Sequence, residues 1–309
     1  MKKLRIVLIV FAFFLCACNK NISENENKKI KEDIKLSNVW KQTKGEENIL
    51  IGVLDSGIDI SANEMKDSIY VNRLEIPDNN IDDDLNGFID DINGWNFYDN
   101  DNHIYDEYIY DYHGTMVTSL IVNKNIGIAP NVTIVPLKCF RGSEADVNDI
   151  VEAIKYGYKL GVRIFNCSWD MNMYNRKLYN IMREYSDAIF VCSAGKNNQN
   201  LESEKVFPAS FNLNNIIIVG GKKMNGEHYE YSGYGELVDI YGPAENVYCQ
   251  LPEGDYEYSD GTSLSVAITT GIIALAYSID NNLQCSDLKK RMSKCNNNFI
   301  NAEVICGIY

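Results

Sequence analysis

Three side chains that together could activate a nucleophile stand at the ends of predicted strands and helices. Asp55 directly follows the apolar run at residues 49–54, and parallel sheets place their functional sites at the C-terminal ends of strands. His113 opens one apolar helical run, and Ser263 opens another. A serine hydroxyl becomes a competent nucleophile when an imidazole accepts its proton and a carboxylate holds that imidazole in the required tautomer. The three residue types therefore predict acyl transfer through a serine nucleophile.

Each of these residues also has a purely structural explanation. Asp55 could belong to a turn, His113 could lie at a helix end, and Ser263 could cap a helix. Together they occur in the order acid, histidine, serine, which is the order of the catalytic triad in subtilisin. The backbone N–H of a serine at a helix start could also donate a hydrogen bond to the oxyanion of the intermediate.

The segments around these residues carry a longer resemblance. They read ILIGVLDSGID around Asp55, HGTMVTSLI around His113 and GTSLS around Ser263, with shorter matches IAP at 128–130, FNCS at 165–168 and SAG at 193–195. Over about residues 38–280 the chain is similar to the subtilisin-like serine proteases. The resemblance implies an α/β fold whose central, mainly parallel sheet is flanked by helices on both faces. It also implies a serine endopeptidase with Asp55, His113 and Ser263 as catalytic triad and with no cofactor required for chemistry.

The same resemblance implies which residues bind substrate. Two short segments match the places where the family presents an edge strand to the substrate backbone and the wall opposite that strand. They are Ser168, Trp169 and Asp170, and then Ala194 and Gly195. Family members usually have small residues after the serine, so the Trp169 ring and the Asp170 carboxylate would reshape the pockets, unless Asp170 faces solvent.

Lys196 departs from the family pattern at a position that bears on turnover. The family has an asparagine there, whose side chain donates the second hydrogen bond to the oxyanion, and loss of this donor from subtilisin lowers turnover by about 10² to 10³. Three alternatives are open: the Lys196 ammonium donates instead, Asn197 replaces the amide after a one-residue shift of the loop, or the oxyanion site is impaired. The third alternative would make the protein a pseudoprotease that acts as a binding or regulatory module.

Alternating strands and helices would position these residues. Apolar runs typical of buried strands occur at residues 49–54, 133–140, 162–167, 188–192 and 216–219. Between two of them, apolar residues recur on one helical face from Val147 to Tyr158, and Gly161 stands where that helix would end. Such alternation favours βαβ units in a parallel sheet. We expect a single peptidase domain over residues 38–309.

An acidic segment at residues 82–93 has the spacing of a calcium-binding loop. Oxygen ligands in the order of an EF-hand would come from Asp82, Asp84, Asn86, the backbone carbonyl of Phe88, and Asp90. The twelfth position is Asn93 rather than a bidentate glutamate, so the loop is not an EF-hand, although similar acidic insertions occur in some subtilisin-like proteases. The segment predicts either a structural calcium site or a solvated acidic loop.

Residues 1–17 have the pattern of an export signal. Basic residues precede an apolar run that is too short to span a bilayer in a mature protein. The run ends in Leu-Cys-Ala-Cys, which resembles the site where bacterial lipoproteins are lipidated, here on Cys18; the alternative is an ordinary signal peptide. Lipidation predicts a protein anchored to the outer face of a bacterial cell membrane. The polar composition of residues 18–37 predicts a flexible tether with no folding prodomain, which favours a processing peptidase over a less selective surface protease.

Charge and cysteine content limit the partners. A formal net charge of −14 argues against nucleic acid and against anionic lipid surfaces, because both are bound by basic patches. The predicted partners are a peptide or protein substrate and, through the lipid anchor alone, a membrane. Seven cysteines follow residue 18, an odd number that cannot pair completely, although Cys285, Cys295 and Cys306 could hold one disulfide in an oxidising compartment.

Overall fold

The central sheet of the structure, a computed structural model that describes residues 27–308, has seven strands. They are β1 (Leu50–Asp55), β2 (Trp95–Asn96), β3 (Thr133–Lys138), β4 (Ile164–Cys167), β5 (Ile189–Ser193), β6 (Ile216–Lys222) and β7 (Ile240–Pro243). All neighbouring strands run parallel, in the order β2-β3-β1-β4-β5-β6-β7. A separate antiparallel hairpin pairs β8 (Val247–Gln250) with β9 (Tyr256–Ser259). The signal at residues 1–17 and Cys18 lie outside the described residues.

Helices cover both faces of this sheet. They are α1 (Lys28–Asp33), α2 (Leu36–Trp40), α3 (Tyr108–Val122), α4 (Val147–Leu160), α5 (Arg176–Glu184), α6 (Thr262–Ile279), α7 (Cys285–Met292) and α8 (Ala302–Cys306). Helices α4 and α5 share one hydrophobic core with one face of the sheet, and the other six share a second core with the opposite face. The predicted α/β fold with a parallel sheet between two helical layers is confirmed.

Helix α4 shows how local sequence sets these elements. Its apolar residues Ile150, Val151 and Ile154 are buried against the sheet, as the helical period predicts. The Asp146 side chain accepts a hydrogen bond from the Asn148 N–H at 2.7 Å and caps the first turn. The helix ends at Gly161, whose φ of 102° lies in the left-handed region that glycine adopts without strain.

Helix α6, which begins one residue before Ser263, is apolar on all sides. It is long and apolar enough to cross a membrane, yet 78% of it is buried inside the fold, between the sheet and helices α3 and α8. A helix that is buried all round needs no polar face. Its hydropathy is therefore explained by its place in the core.

Two helices occupy part of the segment predicted to be a tether. The prediction of a flexible tether is wrong for residues 28–37, where α1 and the start of α2 bury Ile30, Ile34 and Leu36 in the core. The Ile34 carbonyl also accepts a hydrogen bond from the Ala302 N–H at 2.7 Å. The polar average composition of this segment suggested that burial could not offset the entropy lost on ordering. The few apolar residues are nevertheless buried in the core, and their burial compensates that entropy.

All seven cysteines within residues 27–308 are buried free thiols. Burial raises the pKa of Cys285 and of Cys306 to about 12, so both thiols stay protonated and poorly reactive at neutral pH. The disulfide considered for the C-terminal cysteines is not formed in this structure.

Candidate active site

The contact between Asp55 and His113 is the centre of the site. Asp55 is the last residue of β1 and is 3% exposed. Its Oδ1 atom accepts a hydrogen bond from the Ser56 N–H at 2.7 Å and lies 2.8 Å from Nδ1 of His113. Burial alone would lower the pKa of His113, but the charge and hydrogen bond of Asp55 outweigh burial, and the pKa is raised. The imidazole is thereby oriented with Nε2 available for proton transfer.

A buried ion pair fixes the start of the helix that carries His113. Asp111 lies in the first turn of α3, where it accepts hydrogen bonds from the backbone N–H groups of Gly57 and Asp106 at 3.0 and 2.7 Å. Nζ of Lys138, at the end of β3, lies 2.9 Å from Asp111 and also contacts Asp106. Because Lys138 pairs directly with Asp55 in the β3–β1 register, the ion pair joins the helix start to the sheet edge that holds the carboxylate.

Gly114 permits the close approach of α3 to the end of β1. Its N–H donates a hydrogen bond to Oγ of Ser56 at 3.0 Å. A Cβ atom at this position would lie 2.5 Å from the Gly57 carbonyl oxygen, a distance that no side chain tolerates. The glycine after the histidine therefore has a steric reason, which is to let His113 reach Asp55.

Ser263 is the second residue of α6, after Gly261 with a φ of 150°. Its N–H lies in the first helical turn, where N–H groups have no acceptor within the helix and can face an anion. Its Oγ donates to the Ser168 carbonyl at 3.0 Å, while the Ser168 hydroxyl donates to the Ser263 carbonyl at 3.1 Å. To act as the predicted nucleophile, Ser263 would have to turn its hydroxyl from that carbonyl to Nε2 of His113.

Two buried polar side chains form a series of hydrogen bonds that ends at Ser168. Nδ2 of Asn166 donates to Oγ of Ser168 at 3.0 Å, and the Thr270 hydroxyl donates to Oδ1 of Asn166 at 2.9 Å. Asn166 and Thr270 are fully buried, one on β4 and the other on α6. This series of hydrogen bonds therefore ties the strand before Ser168 to the helix that carries Ser263.

The predicted substrate-binding segments follow neighbouring strands. Ser168, Trp169 and Asp170 follow β4, and Ala194 and Gly195 follow β5, so both lie at the same sheet edge as Asp55. The Trp169 ring packs against Phe140 with centroids 5.6 Å apart, and its Nε1 has no partner among the described residues. Asp170 is half-buried, and burial raises the pKa of its carboxylate. The assignment of these five residues to substrate binding stays a prediction.

Lys196 and Asn197 lie at the end of the wall that follows β5. The Gly195 carbonyl accepts hydrogen bonds from the Gly233 N–H at 3.1 Å and from Oγ1 of Thr262 at 3.3 Å, which links this wall to the start of α6. Both Lys196 and Asn197 are exposed, and Asn197 has a left-handed φ of 61°. Burial raises the pKa of Asp170, and the positive charge of Lys196 opposes this effect in part. The choice between Lys196 and Asn197 as oxyanion donor stays a prediction.

The structure groups the residues of the acidic loop differently from the EF-hand spacing. Carboxylate oxygens of Asp82 and Asp84 lie within 4.8 Å of one another and of Glu75, which the spacing did not identify. Asp90 instead accepts hydrogen bonds from two backbone N–H groups, those of Asn79 and Asn80.

Asn86 contacts two of these acids, because its N–H donates to Oδ1 of Asp82 and to Oδ1 of Asp84, both at 3.0 Å. Oδ1 of Asn86 accepts a hydrogen bond from the Phe88 N–H at 2.8 Å, and the Phe88 ring packs on Tyr156 with centroids 4.8 Å apart. The assignment of calcium to Asp82, Asp84, Asn86, Phe88 and Asp90 stays a prediction, and Glu75 joins Asp82 and Asp84 as a further candidate ligand.

Two comparisons of sequence place the chain among known proteins. The model of the Subtilase family matches residues 46–299. Subtilisin-like protease 1 of Plasmodium berghei is 30% identical over 268 residues, which cover 78% of this chain and 44% of the relative. Thermophilic serine proteinase of Bacillus sp. strain AK1 is 27% identical over 245 residues, which cover 76% of this chain and 54% of the relative. The chain thus spans about half the length of these relatives.

Solved structures show the same fold at lower identity. A cold adapted subtilisin-like serine proteinase superposes with a TM-score of 0.67 at 18% identity, over 83% of this chain and 89% of that chain. A lanthipeptide protease superposes with a TM-score of 0.71 at 18% identity, over 91% and 95%. At this identity the likeness concerns the fold.

Proposed function

The chain belongs to the subtilase family, and from that premise we propose that it is a serine endopeptidase which hydrolyses peptide bonds through an acyl-enzyme on Ser263. The observation that carries the proposal is the 2.8 Å contact of His113 Nδ1 with a buried Asp55, at the sheet edge from which Ser168 and the wall opposite it also extend. That arrangement leaves Nε2 of His113 as the general base.

In this mechanism Nε2 of His113 removes the proton of Ser263 as Oγ attacks the peptide carbonyl. Asp55 stabilises the imidazolium and holds its tautomer. The Ser263 N–H donates to the developing oxyanion, and the Lys196 ammonium supplies the second donor. The imidazolium then protonates the leaving amine, and water hydrolyses the acyl-enzyme by the reverse sequence of proton transfers.

Active-site labelling tests this proposal. A fluorophosphonate probe should label the purified, folded protein, and the label should disappear in Ser263→Ala. Ser278→Ala is the matched control, because Ser278 lies on the same helix and, within residues 27–308, its hydroxyl bonds only to the Ala274 carbonyl. Absence of label on the folded wild-type protein, under conditions that label a known subtilisin, would contradict the enzyme proposal.

A pseudoprotease is the second candidate, and Lys196 is the observation that favours it. An exposed lysine on a flexible stem is a less preorganised donor than the amide of the family. In that case the segments at residues 168–170 and 194–195 would bind a peptide without its being cleaved. A folded protein that binds peptides but remains unlabelled would support this candidate.

We also propose that the protein is exported and lipid-anchored through Cys18 to the outer face of a bacterial cell membrane, where a processing peptidase would meet its dedicated substrate. The sequence ending in Cys18 supports the anchor. Two or more acyl chains would hold the protein stably. Cys18→Ala should release the protein from the membrane fraction, and a native protein without lipid on Cys18 would contradict the anchor.

A calcium ion on the acidic loop is a further part of the proposal. Glu75, Asp82 and Asp84 fit a hard cation, because their carboxylates converge within 4.8 Å and Glu75 is buried. Like charges at this distance disfavour one another unless a cation neutralises them. The ion would stabilise the loop and take no part in peptide hydrolysis.

A further inference from the structure

The N-terminal segment of the folded domain is basic although the whole chain is acidic. Residues 28–44 contain six lysines against two acidic residues, a formal charge of +4 in a chain of −14. Helices α1 and α2 lie within this segment and are held in place by buried apolar side chains. The lysines are therefore presented on a fixed surface.

Some of these lysines line a cavity of about 470 Å³ between the two helices and the turn at residues 124–125. Nζ of Lys31 lies 4.7 Å from the centroid of the Trp40 ring, and Nζ of Lys44 lies 4.9 Å from it. The indole Nε1–H donates to the Ile128 carbonyl at 2.8 Å, which fixes the ring that both ammonium groups contact. Two cations are thus gathered on one rigid aromatic surface.

Within residues 27–308 neither the Lys31 nor the Lys44 ammonium has a carboxylate within 4.0 Å, whereas Lys124 at the rim pairs with Asp67 at 2.6 Å. Nζ of Lys31 donates one hydrogen bond to the Asn125 carbonyl at 2.8 Å. Glu32 also lines the cavity, where it lies 4.0 Å from Lys28. Burial, and then the neighbouring Lys44, lower the pKa of Lys31 to about 8. Holding two like charges together without a counter-charge is unfavourable. An anion bound between them would remove that cost.

We propose that this cavity binds the phosphate of an anionic phospholipid headgroup. A phosphate offers several acceptor oxygens to the lysines, and each lysine near an anionic bilayer surface strengthens binding. The choice of a membrane over a free phosphate rests on the proposed anchor at Cys18. Such binding would differ from the expectation drawn from net charge, because the basic surface is local and the protein as a whole is acidic.

The position of the anchor supports this occupant. Asn27, which precedes α1, makes two hydrogen bonds with the backbone of Tyr248. Its Nδ2 donates to the Tyr248 carbonyl at 2.7 Å, and its Oδ1 accepts from the Tyr248 N–H at 3.0 Å. Only eight residues separate Cys18 from Asn27. Fully extended, that stretch reaches at most about 30 Å. A lipid on Cys18 would therefore keep the basic surface close to the headgroups.

Vesicle binding tests the proposal without the anchor. The mature chain, residues 18–309 carrying Cys18→Ala, should bind vesicles of phosphatidylcholine mixed with phosphatidylglycerol, and should not bind vesicles of phosphatidylcholine alone. Lys31→Gln with Lys44→Gln should weaken binding about 25-fold, about fivefold for each lysine. Lys159→Gln with Lys177→Gln removes the same charge from exposed positions on α4 and α5 and should change binding little.

Thermal melts of each variant should show that the fold is intact. The experiment measures vesicle binding alone, so its result does not depend on proteolysis or on lipidation. Equal losses in the two double variants would overturn the site, because binding would then follow net charge alone. Failure of the wild type to bind the mixed vesicles would also overturn it. Inorganic phosphate that raises the melting temperature only when Lys31 and Lys44 are present, without vesicle binding, would replace the membrane by a soluble phosphate.

Discussion

The charge state of one imidazole controls the proposed chemistry. His113 accepts a proton only when neutral, and the Asp55 carboxylate beside it favours the charged form. The pKa of His113 is raised above its ordinary value, so a larger share of the protein is inactive at mildly acidic pH than an isolated imidazole would give. The same carboxylate that orients the base therefore narrows the pH range in which it works.

This balance predicts the acid limb of the pH profile. The rise of kcat/KM with pH should be centred above about 6.5, the ordinary pKa of histidine. Asp55→Asn should move the limb to lower pH, because the opposite charge is lost, and should reduce kcat by about 10⁴, because the tautomer is no longer held. Profiles measured on one peptide substrate decide the matter, and a wild-type limb below 6.5 would contradict it.

Lys196 carries the second prediction at the residue scale. If its ammonium donates to the oxyanion, Lys196→Ala should lower kcat by about tenfold or more with KM little changed, because the lost contact exists mainly in the transition state. Asn197→Ala should do much less, and Lys196→Asn should keep or raise activity, since an amide is better preorganised. Steady-state kinetics on the three variants provide the measurement.

Two other outcomes would change the assignment of the second hydrogen-bond donor to the oxyanion. An unchanged kcat in Lys196→Ala together with an inactive Asn197→Ala would make Asn197 the donor. Activity confined to Lys196→Asn would identify the natural protein as a pseudoprotease. The left-handed backbone of Asn197 and the exposed side chains of both residues are compatible with a donor from either position.

At the scale of elements, the acidic loop is held together by its own hydrogen bonds and by contacts to the helical layer. Asp91 is fully buried and accepts hydrogen bonds from Tyr156 on α4 at 2.6 Å and from Asn72 at 2.8 Å. Burial raises the pKa of Asp91. Asp91 therefore anchors the acidic loop to α4, and Glu75, Asp82 and Asp84 converge within the anchored segment.

Calcium removal should destabilise the protein through this loop. A ligand bound only by the native state contributes about 2.7 kcal/mol at a concentration 100 times its Kd, so EGTA should lower the melting temperature by several degrees. Glu75→Gln should abolish most of that shift, whereas Glu236→Gln, an exposed acid elsewhere, should leave it unchanged. A melting temperature that does not respond to EGTA, with no bound metal by elemental analysis, would make this a solvated acidic loop.

The elements that the sequence predicts best are the buried ones. The apolar run at residues 133–140 corresponds to β3, and the apolar face from Val147 to Tyr158 corresponds to α4. The periodicity did not reveal the buried ion pair of Lys138 with Asp111. A lysine inside an otherwise apolar strand run was the available signal, because a buried cation requires a partner.

Other supporting residues gave no local signal. Asn166 and Thr270 are 104 positions apart and meet only through the packing of α6 on the sheet. Glu75 lies outside the acidic run whose spacing suggested calcium. Such residues are defined by long-range contacts, so motif spacing identifies the reacting groups more readily than the groups that hold them.

The whole molecule has an uneven distribution of charge. The +4 segment at residues 28–44 belongs to a chain of −14, so the remainder carries a larger negative charge than the total indicates. Near an anionic membrane, the basic surface would be attracted and the rest repelled. The two effects together would orient the domain rather than only retain it.

The last prediction concerns whether residues 28–37 belong to the fold. Ile34 is fully buried and accepts a hydrogen bond from the first residue of α8, so Ile34→Ala should lower the free energy of unfolding by about 2–5 kcal/mol. Ser37→Ala changes an exposed residue of the same segment and should stay within about 0.5 kcal/mol of wild type. Urea unfolding of both variants provides the comparison. Equal midpoints for Ile34→Ala and wild type would mean that this segment is a tether, as its polar composition predicts, because a residue outside the cooperative fold contributes nothing to its stability.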